Sequence, residues 1–210
     1  SLKASHSLNI LNLSFHCLTS DGIQAVLTLV KSHKNMQELT LIASTLTKWS
    51  REDVLSLSKI LEVNKSLHKL RLSGMDCPSE GAAYLADAVR INRDLEYLSL
   101  QHNKLKDDSI VTLADSISQN TQVNTLKVGG NCFGTMGTKA LAEAFTTNSV
   151  LQIVDLCDTP FGYDGTEALS KVLTVNCTLS SLLLEGCGLD DQDVLILSEG
   201  LMSNKALRIL

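Results

Sequence analysis

Apolar residues recur along this chain in a fixed phrase: one apolar residue, a gap, then an alternating apolar pair. The phrase opens at Leu8, Met36, Leu67, Leu95, Val123, Leu151, Leu179 and Leu207, at intervals of 28, 31, 28, 28, 28, 28 and 28 residues. A period held across the 210 residues means one supersecondary unit stacked on itself, since a single copy cannot bury its apolar face alone. The fourth copy is the clearest, reading Leu95-x-x-Leu98-x-Leu100-x-x-Asn103-x-Leu105, then Lys106-Asp107-Asp108 and a helical stretch to Asn120. Alternation at Leu98 and Leu100 predicts a short strand with one buried face. The following segment has helical spacing: Leu113 and Ile117 correspond to Leu141 and Phe145, Leu169 and Leu173, and Leu197 and Leu201. These i, i+4 pairs form one apolar stripe per helix. The chain is therefore expected to be one domain over residues 1–210, of about seven repeats with an eighth begun at 207.

Helix boundaries repeat as well. Asp21, Glu80, Asp108 and Asp164 fall at the helix start, where a carboxylate favours the dipole and can accept free N–H groups. Gly22, Gly81, Gly137 and Gly165 follow at one phase, where close backbone approach is expected. Asn64, Asn92, Asn120, Asn148, Asn176 and Asn204 mark the far end, with His33 in the first copy. Asparagine there predicts a left-handed helix terminus.

Parallel strands lie about 4.8 Å apart, whereas packed helices need roughly 8–10 Å. A right-handed α/β solenoid of this kind closes into a horseshoe, with strands on the concave face and helices on the convex face. The residue between the paired leucines then faces the concave solvent and runs Asn12, Thr40, Arg71, Ser99, Lys127, Asp155, Leu183. Two residues earlier the row reads Ile10, Glu38, Lys69, Tyr97, Thr125, Ile153, Ser181. Basic His68, Lys69, Arg71 and Lys127 gather near the middle, and acidic Asp155, Asp158 and Glu185 lie toward the end. Tyr97 sits among the basic group, with Gln101 and His102 just after the strand. An aromatic beside an arginine is the composition of an interface hot spot, and these residues form the candidate partner-binding set. The competing reading is an ordinary polar strand face.

Two features break the pattern. The asparagine of the motif normally bridges successive loops with its amide, but the series here is His16, Ser44, Met75, Asn103, Asn131, Thr159, Cys187. Met75 cannot donate, so the third copy is expected to be irregular or to hold a water. His16 has no second ligand at useful spacing and reads as a ladder donor. The second copy carries three extra residues, placed between Leu46 and Val54, and its segment Thr47-Lys48-Trp49-Ser50-Arg51-Glu52 holds the only tryptophan. Insertions in solenoids map to loops, often on the binding edge, which makes Trp49 a candidate contact. Alternatively, its ring folds down as local packing.

The LxxLxLxxNxL phrase, followed by a helix ending in Asn at period 28, resembles the ribonuclease-inhibitor-type leucine-rich repeat. The stretch from Leu85 to Leu95 most resembles the arrays of NOD-like immune receptors; ribonuclease inhibitor, tropomodulin, the Ran GTPase activator and bacterial effectors share the class. The resemblance implies a cytoplasmic protein-binding scaffold, as in innate-immune recognition, with an inhibitor or host-directed effector as the alternative.

Composition adds limits. The net charge of −5 argues against a nucleic-acid or acidic-membrane surface. The charge is graded: residues 1–105 carry +2 and residues 106–210 carry −7. No signal peptide opens the chain, and no apolar run approaches a membrane span. Cys17, Cys77, Cys132, Cys157, Cys177 and Cys187 sit at unrelated phases and read as small buried hydrophobes in a reducing compartment. The sequons at Asn12, Asn64 and Asn176 read as chance matches. No phosphate-binding loop, HExxH, CxxC or GxSxG motif occurs, so no enzyme and no cofactor or metal is expected. GTPase activation is a weaker reading, since only Arg51 and Arg71 fall near the concave edge and no acidic tail follows. The last residues, Arg208-Ile209-Leu210, lie in the eighth strand, so a longer array, a partner or a second copy is expected to cover Leu207 and Leu210.

Overall fold

The structure, a computed structural model, describes residues 7–15, 17–43 and 48–210. Strands and helices alternate throughout: β1 (Ile10–Phe15), α1 (Ser20–Ser32), β2 (Glu38–Ala43), α2 (Arg51–Val63), β3 (Lys69–Ser73), α3 (Ser79–Ile91) and β4 (Tyr97–Ser99). The series continues with α4 (Asp107–Gln119), β5 (Thr125–Lys127), α5 (Thr135–Thr147), β6 (Ile153–Asp155), α6 (Gly162–Val175), β7 (Ser181–Leu183) and α7 (Asp191–Ser203). All seven strands form one parallel sheet in sequence order. Ser181 pairs with Ile209, where the eighth strand begins. Each helix packs on the next, giving an α/β solenoid with strands on the concave face and helices on the convex face.

The register follows the repeat. Leu11, Leu39, Leu70, Leu98, Leu126, Val154 and Leu182 lie side by side across the sheet. The helical pairs Leu113 and Ile117, Leu141 and Phe145, and Leu169 and Leu173 are buried against them. Leu201 is only half-buried, at the last helix.

The helix-ending asparagines act differently from expectation. Their backbone is extended, with φ between −66° and −78°, so none is left-handed. Instead their side chains bridge copies. The Nδ2 groups of Asn92, Asn120, Asn148, Asn176 and Asn204 donate to the carbonyls of Leu61, Val89, Ile117, Phe145 and Leu173, at 2.7 to 2.8 Å. Each accepting carbonyl belongs to the last turn of the preceding helix, which no further turn can satisfy. The same asparagines accept, through Oδ1, two backbone N–H groups that lead into their own next strand. Extended geometry is what aims the amide sideways at the neighbouring copy.

The helix-start carboxylates are also reassigned. Side-chain caps are made by Ser50 and Asp190, each in a capping box with Asp53 and Asp193. Asp21, Glu80, Asp108 and Asp164 lie in the first turns without capping bonds. Asp107 instead accepts from the N–H groups of Gly134 and Gly137 in the next copy.

A second ladder runs through the loops after the strands. Asn103 donates to Leu72 O and accepts from Met75 N, and Asn131 donates to Leu100 O and accepts from Asn103 N. Cys187 repeats the donation with Sγ to Leu156 O at 3.2 Å. The rungs expected at His16 and Ser44 lie outside the described residues. The third copy is not irregular at Met75: Gly74 and Asp76 have positive φ, as His102 and Lys104 do one copy later. Sequence had missed how Met75 is accommodated.

Trp49 supplies that answer: of the two roles open to it from sequence, a partner contact and local packing, the structure shows packing. Strands β2 and β3 are offset by 31 residues but helices α2 and α3 by 28, so the extra residues precede Trp49. Counted back by 28 from Cys77, Trp49 occupies the core position of Leu105, Phe133 and Phe161. The residue is 3% exposed, and its backbone N–H donates to Met75 O at 3.1 Å, while its indole Nε1 has no partner among the described residues. Trp49 and Met75 line one apolar void of 20 Å³, with Leu72 and Leu100 opposite. The two departures from the repeat thus fill each other's space.

Two outcomes follow in chemical unfolding. Asn120→Ala strands a carbonyl and two N–H groups in the interior and is expected to cost about 3 kcal/mol or more. Trp49→Ala is expected to cost about 3–5 kcal/mol, as truncation of a core aromatic does; an unchanged midpoint would contradict its burial.

Candidate functional site

The concave rows expected from the repeat are the rows of the sheet: Thr40, Arg71, Ser99, Lys127, Asp155 and Leu183 are successive register partners, as are Glu38, Lys69, Tyr97, Thr125, Ile153 and Ser181. Alternation along each strand sends the intervening leucines inward and leaves these side chains on one face.

Two clusters stand on that face. In the first, two cations of β3 approach Tyr97: Lys69 Nζ is 5.3 Å and the Arg71 guanidinium 5.4 Å from the ring centroid. Arg71 Nη2 also donates to Tyr97 Oη at 2.9 Å, while Lys69 pairs with Glu38 at 3.3 Å. Arg71 Nε is buried without a partner among the described residues. Such cation–ring contacts each contribute about 0.5–1 kcal/mol when exposed and fix the arginine plane. The cluster is thus held in shape before any ligand arrives. Glu38 was not singled out from sequence, although its place directly beside Lys69 in the same row was the available signal.

The second cluster centres on Asp155, which is 4% exposed. It accepts from Lys127 Nζ at 3.0 Å, Gln101 Nε2 at 3.2 Å and Cys157 N at 3.1 Å. Gln101 crosses a whole copy to reach it, because Gly129 stands in the intervening place. A Cβ on Gly129 would come within 2.5 Å of Cys157 O and 3.1 Å of Asp155 Oδ1. Burial, together with Asp155, pushes the Cys157 thiol up to about 11, so it is held as a thiol.

The remaining candidates fall elsewhere. His102 and Asp158 occupy the left-handed turn position held by glycine at Gly74, Gly130 and Gly186, and their side chains cover Gly130 and Gly186 of the following copies. Their residue type is set by the turn as much as by any ligand. His68 is exposed before β3, with Nδ1 2.9 Å from Asp94 O. Glu185 is exposed on the loop after β7. Trp49 is in the core and joins neither cluster. Of the expected basic and acidic zones, only Lys127 and Asp155 pair with each other, while Lys69 pairs with Glu38.

Other expectations are corrected or bounded. Cys17, Cys132 and Cys177 are exposed rather than buried, and the described cysteines form no disulfide. The Asn64 and Asn176 amides of two sequons are engaged by the backbone. No group of His, Cys, Asp and Glu among the described residues is arranged to hold a metal ion. No described helix is long and apolar enough to cross a membrane. Ile209 and Leu210 are exposed beside α7.

Known proteins match this geometry. The family described as Leucine Rich repeat matches residues 4–27 and 92–114. No curated protein matches by sequence. Among solved structures, the tropomodulin C-terminal domain of Caenorhabditis elegans superposes with a TM-score of 0.56 at 12% identity, covering 87% of this chain and 92% of that one. Leiomodin-1 Actin-Binding Site 2 superposes with a TM-score of 0.50 at 17% identity, covering 86% and 90%. At such identities the likeness concerns fold. Two segments of the chain match the leucine-rich repeat, and the described residues fold as a leucine-rich-repeat α/β solenoid.

Proposed function

We propose that this chain is a non-enzymatic protein-recognition scaffold whose ligand docks on the concave face and adjacent loops. The observation that carries this is the Lys69–Tyr97–Arg71 cluster. It presents an aromatic ring with two cations at fixed places, on strands paired to both neighbours in the parallel sheet. Preorganisation of this kind lowers the ordering cost of binding. Tyrosine and arginine are the residues that most often dominate an interface. Lys127 and Gln101, held on buried Asp155, extend the same face with a second polar anchor.

A cytoplasmic array of the NOD-like receptor kind is the finer reading, supported by the helix sequence from Leu85 to Leu95. A host-directed effector or inhibitor using the same face is the alternative. The likeness to leiomodin-1 Actin-Binding Site 2 favours one further partner to test, actin. GTPase activation has less support. Arg71 is held on Tyr97, and Arg51, though exposed, is held on Tyr84 and beside Glu80, so both guanidinium groups are already engaged. The apolar side chains at Ile209 and Leu210 support end-on self-association of the array as an additional contact.

The test compares wild type with an Arg71→Ala/Tyr97→Ala double variant in capture from cytosol, in co-sedimentation with actin, and in hydrolysis assays with small GTPases. A specific protein lost by the double variant, but kept by a convex Lys139→Ala control, is expected. Equal recovery by all three forms would remove the concave reading, and faster GTP hydrolysis would overturn the non-enzymatic one.

A further inference from the structure

Four lysines that take no carboxylate partner among the described residues gather on the convex side, between α1 and α2. They are Lys31, Lys34, Lys59 and Lys65, and they line a groove of 530 Å³. No acidic residue lines it. This contrasts with Lys69, Lys104, Lys127, Lys139 and Lys171, each of which sits within 4 Å of a carboxylate.

The groove exists because α1 and α2 pack less closely than any other neighbouring helix pair. At one end they are tied together. Ser20 Oγ and Gln24 Nε2 both donate to Asp53 Oδ1 at 2.7 Å. Burial alone would raise the Asp53 carboxyl, but bonds from Gln24, Ser20 and Ser50 outweigh it and hold it below its ordinary value. Beyond that tie the helices part, and the lysines line the opening. Its floor is apolar at Leu27 and Ile60, and its wall carries the Ser56 hydroxyl.

The electrostatics point one way. Like charges confined to one concave place repel each other and raise the local potential. The net charge of −5 conceals this, because the chain's acidic excess lies in residues 106–210. At the ends of α1 and α2, His33 N donates to Leu29 O and Val30 O, and Asn64 N to Ile60 O, which engages part of each last turn. The volume lies in the range of small-molecule sites. Lysines act on phosphate as point charges without the fork geometry of arginine, so they select charge density over shape.

We propose that this α1–α2 groove binds a compact, multiply phosphorylated group, either a free polyphosphorylated small molecule or the headgroup of a phosphorylated lipid. The ligand draws the C-terminal halves of α1 and α2 together and relieves the lysine repulsion. Affinity falls with salt, since the lysines are solvent-exposed. The site is separate from the concave face and does not depend on it.

The experiment uses the chain as it stands, with two probes: inositol hexakisphosphate by calorimetry, and phosphatidylcholine vesicles with or without phosphatidylinositol 4,5-bisphosphate by flotation. A Lys31→Glu/Lys59→Glu variant is compared with a Lys106→Glu/Lys205→Glu control that changes the net charge equally. Saturable binding of either probe is expected, weakened about tenfold or more by the groove variant and far less by the control. Binding of the soluble probe identifies a free ligand, and binding of the vesicles alone identifies a headgroup. Failure to bind either probe, or equal loss in both variants, would overturn the proposal. Circular dichroism of both variants confirms that these exposed substitutions leave the fold intact.

Discussion

Helices α2 to α6 each end on a carbonyl that the asparagine closing the next helix reaches back to bond. Asn92, Asn120, Asn148, Asn176 and Asn204 each donate back into the preceding helix while accepting two N–H groups from their own chain. A buried amide left unpaired costs about 1–3 kcal/mol, so these bridges are expensive to break. They also fix distance: the donor and its acceptor are always 31 residues apart, which holds the helices in step with the sheet. Strand register, core stacking and the concave rows all depend on that step.

The concave face inherits its order from this spacing. Because each strand repeats its neighbour's register, a residue's partners are those one copy away. Lys127 meets Asp155 and Lys69 meets Glu38 in this way. Gln101 reaches two copies only because Gly129 clears the path. A recognition surface on such a scaffold is built by choosing rows, and its rigidity comes from the ladder beneath.

Much of the fold was legible because it rests on period. The rows from Thr40 to Leu183 and the buried helical pairs followed from counting. Roles that depend on direction were not legible. The helix-end asparagines were expected in left-handed backbone, since sequence shows the residue type but not that its amide is needed sideways. Trp49 read as either a partner contact or local packing, because the extra residues were placed around it. Counting back 28 from Cys77 would have put it in the core. His68, Lys69, Arg71 and Lys127 read as one basic zone, but Glu38 and Asp155 neutralise two of them. The convex lysines were missed altogether, because Lys31, Lys34, Lys59 and Lys65 come from two helices whose parting no periodicity predicts.

The central claim is that the helix-end asparagines hold the array together. Hydrogen exchange of the amides of Leu95, Val123, Leu151 and Leu179 tests it directly, because each donates to an asparagine Oδ1 at 2.7 to 2.8 Å. These amides are expected to exchange only by unfolding of the array, with protection close to that of the core strands. Exchange as fast as that of exposed turn amides would show that the bridges are incidental to the stacking.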